Sequence, residues 1–273
     1  MPLTRRAAIK AVLAAAVGGT TGASTYGVGY ERHHLGVTEA TLKVSGLPAA
    51  LDGLRIGFLT DIHHSQLVPA DDVIRAVDLT NAQRPDLIVL GGDYVSFQDR
   101  AFVTPVAQLL APLRAPHGVV AILGNHDDDR DMPAALARND FTVLRDQRTR
   151  LMIGGEALEI AGIRFWTKRQ QEIARVLAGA DGTVLLLAHD PRRLIEAAAL
   201  DVPSMLSGHT HGGQIVFPGV GALAARKFPI AEGNGERDNT TIFVSRGIGT
   251  VYVPVRINCP PEVAIVTLRA RTT

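Results

Sequence analysis

The chain has 273 residues, 46% hydrophobic and 20% charged, a balance that excludes a disordered or collagen-like polymer and suffices for one large domain or two small ones. Lys and Arg number 28 against 27 Asp and Glu, a net charge of +1 with no long run of one sign, which argues against a nucleic-acid scaffold. The single cysteine, Cys259, excludes an intrachain disulfide and a thiolate-rich metal cage, so any metal must be held by N and O ligands.

In chain order, Arg5, Arg6 and Lys10 precede an apolar run from Ala11 to Val17, too short for a membrane span of about 20 residues. A basic start, a short apolar run and small residues describe a secretory signal. "TRRAAIK" resembles the bacterial twin-arginine signal, with Ala8 where that signal usually has Phe. The resemblance implies passage of the folded protein through the twin-arginine export machinery, an exported, periplasmic or cell-envelope location, and membrane association through the N-terminus if the segment is retained. Cleavage is expected after Ala23; loss of residues 1–23 removes three basic residues and no acidic one, leaving 25 against 27 and a net charge of −2. Residues 1–29 read as signal or anchor plus linker, and residues 30–273 as one domain.

Five short apolar runs follow, each ending in polar residues. "LRIGFLT" leads to Asp61 and His63, "DLIVL" to Asp93, "GVVAILG" to Asn125 and His126, "TVLLLA" to His189, and "PSMLS" to His209 and His211. Continuous apolar runs bounded by turn residues predict strands buried on both faces. Helices are expected between them. Pro69, Asp71 and Asp72 open one that carries Val73 and Val77 on one face, and Asp190 with Pro191 caps another. Strands alternating with helices predict an α/β sheet whose ligands gather at the strands' carboxyl ends, where all these polar clusters fall. Shorter alternating stretches between about Asn139 and Thr167, and again in "TTIFVSRGIG" and "PEVAIVTL", predict hairpin or meandering strands. The expected architecture is therefore a mixed α/β sandwich of two sheets.

Asp61 and His63, two apart at an extended strand end, should point to one side. Asp93 follows Gly91 and Gly92, which allow close backbone approach, and its two oxygens could bridge two cations. Asn125 offers a hard neutral oxygen, although a turn cap is its plainer role. His209 and His211, with His189, complete a set of imidazoles and carboxylates suited to two divalent ions. Taken alone, His189 reads equally well as a core histidine.

The order D-x-H (61–63), G-D (92–93), G-N-H-D (124–127), a lone His at 189 and G-H-x-H (208–211) resembles the calcineurin-like metallophosphoesterase family over residues 54 to about 214. The ends "GHTHGGQ", "SRGIG" and "NCPPEVAIVTL" resemble an exported bacterial branch of it. The resemblance implies a four-layer α/β/β/α sandwich of two mixed sheets and two divalent ions, Mn, Fe or Zn. It implies that Asp61, His63 and His211 hold one ion, that Asn125, His189 and His209 hold the other, and that Asp93 bridges them. Two such ions can share a hydroxide made at neutral pH and clamp the phosphoryl oxygens through in-line attack. His126 becomes the catalytic imidazole at the phosphate. The implied activity is hydrolysis of phosphodiester bonds in preference to phosphomonoester or pyrophosphate bonds, on a phosphoester substrate that could be lipid or nucleotide-sugar linked.

Many members of that family carry G-D-x-x-D, the second Asp orienting the catalytic histidine, whereas "GDYVS" places Ser96 there. Ser96, Asp127 or a more distant residue is left to orient His126. His64 reads as a packing or phosphate-contact residue, His33, His34 and His117 as surface residues, and Arg246 as a substrate contact or a structural salt bridge. No G-x-x-x-x-G-K loop is present, which excludes a P-loop NTPase. Two other readings remain: a non-catalytic metal-site scaffold that binds a cell-envelope partner, and a metal-dependent hydrolase of another bond such as an amide.

Overall fold

Each apolar run becomes a strand that sends alternate side chains into two different hydrophobic layers. In the computed structural model, which describes residues 22 and 25–271, these strands form two six-stranded mixed sheets. The twin-arginine pair, the apolar run behind it and the expected cleavage point at Ala23 lie outside the described residues. Among the described residues, no helix is long and apolar enough to cross a membrane.

The first sheet contains β1 (Gly36–Val44), β2 (Arg55–Leu59), β3 (Leu87–Leu90), β4 (Val119–Ala121), β5 (Thr142–Val143) and β14 (Glu262–Ala270), in the order β1-β14-β2-β3-β4-β5. The second contains β6 (Gln147–Ile153), β7 (Glu156–Gly162), β8 (Thr183–Leu187), β9 (Ser204–Ser207), β12 (Gly233–Arg237) and β13 (Thr240–Val244), in the order β12-β13-β9-β8-β7-β6. Strands β2 to β5 are parallel, as are β7, β8, β9 and β13, so their carboxyl ends line up. Of the alternating stretches, residues 147–162 form the antiparallel hairpin β6–β7, as their pattern predicts, and β12–β13 pair antiparallel, whereas β5 runs parallel to β4 and β14 inserts between β1 and β2 rather than continuing from β13. A small hairpin, β10 (Val216–Phe217) and β11 (Gly221–Ala222), stands apart from both sheets.

The strand period of two divides the core. Ile56 and Phe58, Leu87 and Val89, Leu185 and Leu187, and Leu206 and Phe243 fill the space between the sheets. Their neighbours Leu59, Ile88 and Leu90 face α1 (Ala70–Ala82), α2 (Val103–Leu110) and α3 (Met132–Ala137), meeting Val73, Val77, Val106 and Leu136. On the other side, Leu186, Met205 and Ile242 meet Ile173 of α4 (Gln170–Leu177) and Leu194 and Ala197 of α5 (Leu194–Ala198). Three apolar layers separate four layers of secondary structure, which is the expected α/β/β/α sandwich. Helix α1 begins after Pro69 with Asp71 and Asp72 in its first turn. Asp190 caps a 3₁₀ turn, Pro191–Arg193, by accepting the Arg192 N–H at 3.0 Å, and α5 follows.

Phe58 is the ring on which the inter-sheet layer closes: it is 1% exposed and meets Phe243 edge-on, with centroids 6.5 Å apart. Phe58→Ala should cost about 3–5 kcal/mol in urea unfolding, whereas Ile74→Ala on the exposed side of α1 should change stability by less than about 0.5 kcal/mol.

Candidate metal centre

All seven expected ligands and His126 lie just beyond the carboxyl ends of β2, β3, β4, β8 and β9, and they converge from both sheets. Asp61, His63 and His211 form one group and Asp93, His189 and His209 a second, the ligand atoms within each lying within 4.8 Å of one another. The two groups touch through Asp93, whose Oδ2 is 3.5 Å from His63 Nε2 and 3.1 Å from His189 Nε2. His211 Nε2 lies 3.1 Å from His63 Nε2 and 3.4 Å from Asp61 Oδ1. Donors about 2.1 Å from one tetrahedral cation sit about 3.4 Å apart, so these separations are those of a ligand shell.

The local conformation differs from the extended strand end that the Asp-x-His spacing suggests. Strand β2 ends at Leu59, and Asp61 and His63 have φ of +54° and +51°; Asp93, His209 and His211 share this left-handed region at +56°, +71° and +52°. The convergence stands, but its cause is an alternation of left-handed residues rather than the pleat. Such positions are unusual for residues other than glycine, although Asp and His tolerate them best, and they cost of order 1 kcal/mol each. Backbone hydrogen bonds hold them: Asp61 N–H to Gly92 O, His63 N–H to Asp93 O and Gly249 N–H to Asp61 O, at 2.9, 2.9 and 2.7 Å. The crossings are so close that a methyl group on Gly208 would overlap Asp61 Oδ2, and one on Gly124 would overlap Asp93 Oδ1.

Asp127 and Ser96 hold parts of the site other than His126. The Asp127 carboxylate accepts the N–H groups of Asp93, Tyr94 and Gly124 at 2.7, 2.7 and 2.8 Å, tying the G-D turn to the G-N-H-D turn. Ser96 Oγ lies 3.2 Å from His63 Nδ1. His126 Nδ1 instead accepts the backbone N–H of Phe97 at 3.1 Å. A ring nitrogen that accepts carries no proton, so the neutral imidazole of His126 has its proton on Nε2. No side-chain motif announces this orienter, because it is a backbone amide. Arg256, fully buried, was also invisible in the sequence; it donates to the carbonyls of Arg246, Gly247, Gly249 and Cys259 and so supports the turn against Asp61.

The remaining histidines separate cleanly. His64 is buried, donates from Nδ1 to Val68 O at 2.9 Å and packs edge-on to Phe102, so it is a packing residue. His33 pairs with Asp72 at 2.8 Å, and Arg246 forms an ion pair with Glu262. Rings not foreseen from sequence wall the centre: Phe165 and Phe228 lie 5.2 and 5.3 Å from His209, and Phe97 and Tyr252 lie 5.1 and 6.1 Å from His126.

Whether cations fit can be judged from the orphaned atoms. Asn125 Oδ1 is buried with no hydrogen-bond partner, and His189 Nε2, likewise buried, faces Asp93 Oδ2 at 3.1 Å. His189 Nδ1 donates to Gly91 O at 2.8 Å, leaving Nε2 as the atom that faces the centre. Electrostatics agree. Burial pushes the Asp61 carboxyl up to about 6 and the imidazoles of His63 and His209 down to about 4 and about 3, and it lowers those of His211 and His126. Burial also opposes charge on Asp93 and His189, but each is the other's counter-ion. Asp93 is held well below the usual carboxylate range and His189 is taken up to about 10. A proton on His189 thus supplies the positive charge that a cation would bring.

The family profile for calcineurin-like phosphoesterase matches residues 54–213. The chain is 31% identical to an uncharacterized metallophosphoesterase of Bacillus subtilis (strain 168), YkuE, over 98% of both chains. It is 34% identical to the phosphodiesterase YaeI of Escherichia coli (strain K12) over 78% of this chain and 82% of that one. Among solved structures it resembles the NAD nucleotidase NadN of Haemophilus influenzae in fold, with a TM-score of 0.50 and 17% identity over 71% of this chain and 50% of that one. The chain belongs to the calcineurin-like metallophosphoesterase family, and its two candidate ligand clusters are consistent with a dinuclear centre.

Coordination requires a neutral His189, which is protonated at neutral pH when its pKa stands near 10, so metal loading must release that proton. Titration calorimetry with Mn²⁺ in buffers of different ionisation enthalpy should show release of about one proton at pH 7. Affinity should rise with pH towards 10 and fall more steeply below about 6, where Asp61 also binds a proton. Asp127→Asn places an amide donor against backbone donors and should cost about 1–3 kcal/mol of stability, together with a loss of metal content measured by elemental analysis.

Proposed function

We propose that the protein is a dinuclear metal-dependent phosphoesterase with a preference for phosphodiesters. The observation that carries this reading is the position of Asp93 Oδ2, within 3.5 Å of an imidazole nitrogen of each ligand group, which suits a bridge between two cations. In the assignment we favour, Asp61, His63 and His211 hold one ion, Asn125, His189 and His209 the other, and Asp93 both. Bound there, the ions supply Lewis-acid charge to the phosphoryl oxygens and a nucleophile at neutral pH.

His126 does the chain's own part of the chemistry. Its ring is buried yet keeps a face on the cavity beside Asp93 and Asn125. With Nδ1 occupied by the Phe97 amide, Nε2–H is directed away from that loop and is the atom available to a phosphoryl or leaving-group oxygen. No carboxylate on Nδ1 stabilises an imidazolium, and burial favours the neutral ring, so His126 acts as a neutral hydrogen-bond donor.

Two features support diesters. Away from the metal ligands and His126, the described residues lining the adjoining cavity include one charged side chain, Lys227, and are otherwise mainly apolar, which suits a second ester group better than further free phosphoryl oxygen. The similarity to a protein named as a phosphodiesterase, at 34% identity, points the same way.

The test is hydrolysis of bis-p-nitrophenyl phosphate and p-nitrophenyl phosphate by the purified protein with Mn²⁺, Zn²⁺ or chelator. Turnover should require metal and favour the diester. His126→Ala should lower kcat by about 10²–10⁴-fold with metal content retained, and Asp93→Asn should lose both. A protein that binds two ions and turns over neither ester would overturn the reading and favour a metal-site scaffold.

A further inference from the structure

Beyond His211 the chain leaves the sandwich and builds one wall of a cavity. Residues 213–228, including the β10–β11 hairpin, stand opposite residues 251–253. Gln214 clamps the two. It is 7% exposed with φ of +56°, accepts the Val251 N–H through Oε1 at 2.7 Å and donates from Nε2 to Val253 O at 3.3 Å. The Ile257 N–H donates to Gln214 O and the Val216 N–H to Ile257 O, both at 2.9 Å. The last residue of "GHTHGGQ" thus fixes the width of a cleft that opens directly on the two histidines of the same motif.

The cleft encloses about 430 Å³, within the usual range for a small-molecule site. Its floor includes Asp93, Asn125, His126, His209 and His211, so it is continuous with the candidate metal centre. Its walls are mainly carbon: Ile215, Phe217, Leu223, Phe228, Tyr252 and Val253. The polar side chains of Gln214 and Thr210 are spent on main-chain partners, Thr210 Oγ1 donating to Ala231 O at 2.6 Å. Lys227 lies over the Phe228 ring, its Nζ 5.1 Å from the centroid. Large apolar side chains stay exposed around the cleft, with Phe217 at 49%, Leu223 at 48%, Tyr252 at 73% and Val253 at 46%. Exposed apolar residues gathered round one cleft mark a place where apolar groups of a ligand dock.

We infer that the cleft holds the hydrocarbon chain of an amphiphilic phosphoester, with its phosphoryl group at the metal centre and its chain along Ile215, Phe217, Leu223 and Val253. This rests on the phosphoesterase reading and adds a substrate class to it. A peptide or a sugar would leave hydrogen-bonding groups unpaired against these walls, whereas each buried methylene of an alkyl chain contributes.

The test is a series of alkyl p-nitrophenyl phosphodiesters, methyl to decyl, each used below its micelle-forming concentration with the Mn²⁺-loaded protein, next to bis-p-nitrophenyl phosphate. Water oxygen adds to phosphorus, the bond to the aryl oxygen breaks, and p-nitrophenolate and the alkyl phosphate leave. The value of kcat/KM should rise about twofold to fourfold per methylene until the cleft is filled. Leu223→Glu and Val253→Glu, both at exposed positions, should flatten that rise, read as the long-to-short ratio within each variant. Ile195→Glu, equally exposed on α5 and away from the cleft, should keep it. Turnover independent of chain length, or a slope unchanged in both cleft variants, overturns the hydrocarbon site and leaves the phosphoesterase reading intact. Absence of turnover on every ester, with metal bound, overturns both.

Discussion

The structure depends on holding carboxylates, imidazoles and an amide oxygen, most of them with lone pairs directed at one another, inside a space from which water is largely excluded. Such a cluster repels itself and resists burial, and left alone it would open. Covalent geometry and hydrogen bonds prevent this. Five ligand residues adopt left-handed backbone conformations, and three turns are laced together by main-chain hydrogen bonds and by the Asp127 carboxylate. Arg256, buried under the Gly247–Gly249 turn, draws four carbonyls towards one guanidinium. The sandwich beneath is a rigid base for these strained turns, its three apolar layers setting where each strand ends.

The same arrangement divides labour in the proposed reaction. Lone pairs converge where cations would sit, while His126, whose Nδ1 takes an amide proton rather than facing a carboxylate, presents a neutral donor beside them. The substitution of Ser96 for the expected Asp is absorbed in this way. Ser96 serves His63 instead, and the Phe97 main chain takes over His126.

The candidate ligand set was legible in the sequence through the ordered motifs that carry the family resemblance, most of them pairs within a few residues at a strand end. G-D, G-N-H-D and G-H-x-H each mark a turn whose glycine permits a close crossing, D-x-H supplies a strand end that is crossed, and Asp61, His63, Asp93, His209 and His211 meet. The backbone that brings them together was not readable, since a spacing of two fits both a pleated strand and alternating left-handed residues. His189 stands alone in its stretch, and its place at the end of an apolar run fits a core histidine equally well. It enters the site only because β8 and β9 lie side by side and Gly91 O accepts its Nδ1 proton.

What the sequence by itself determined is the order of most strands and helices, the family and the candidate ligand groups, because periodicity and short motifs act over a few residues. What only the tertiary structure decided is how distant segments share work. Asp127 belongs to the backbone of Asp93, Phe97 orients His126, and Gln214 joins residues 213–228 to residues 251–253 around an apolar cleft. Each of these contacts links residues about thirty or more positions apart through a hydrogen bond to the main chain, and a main-chain amide has no letter in the sequence.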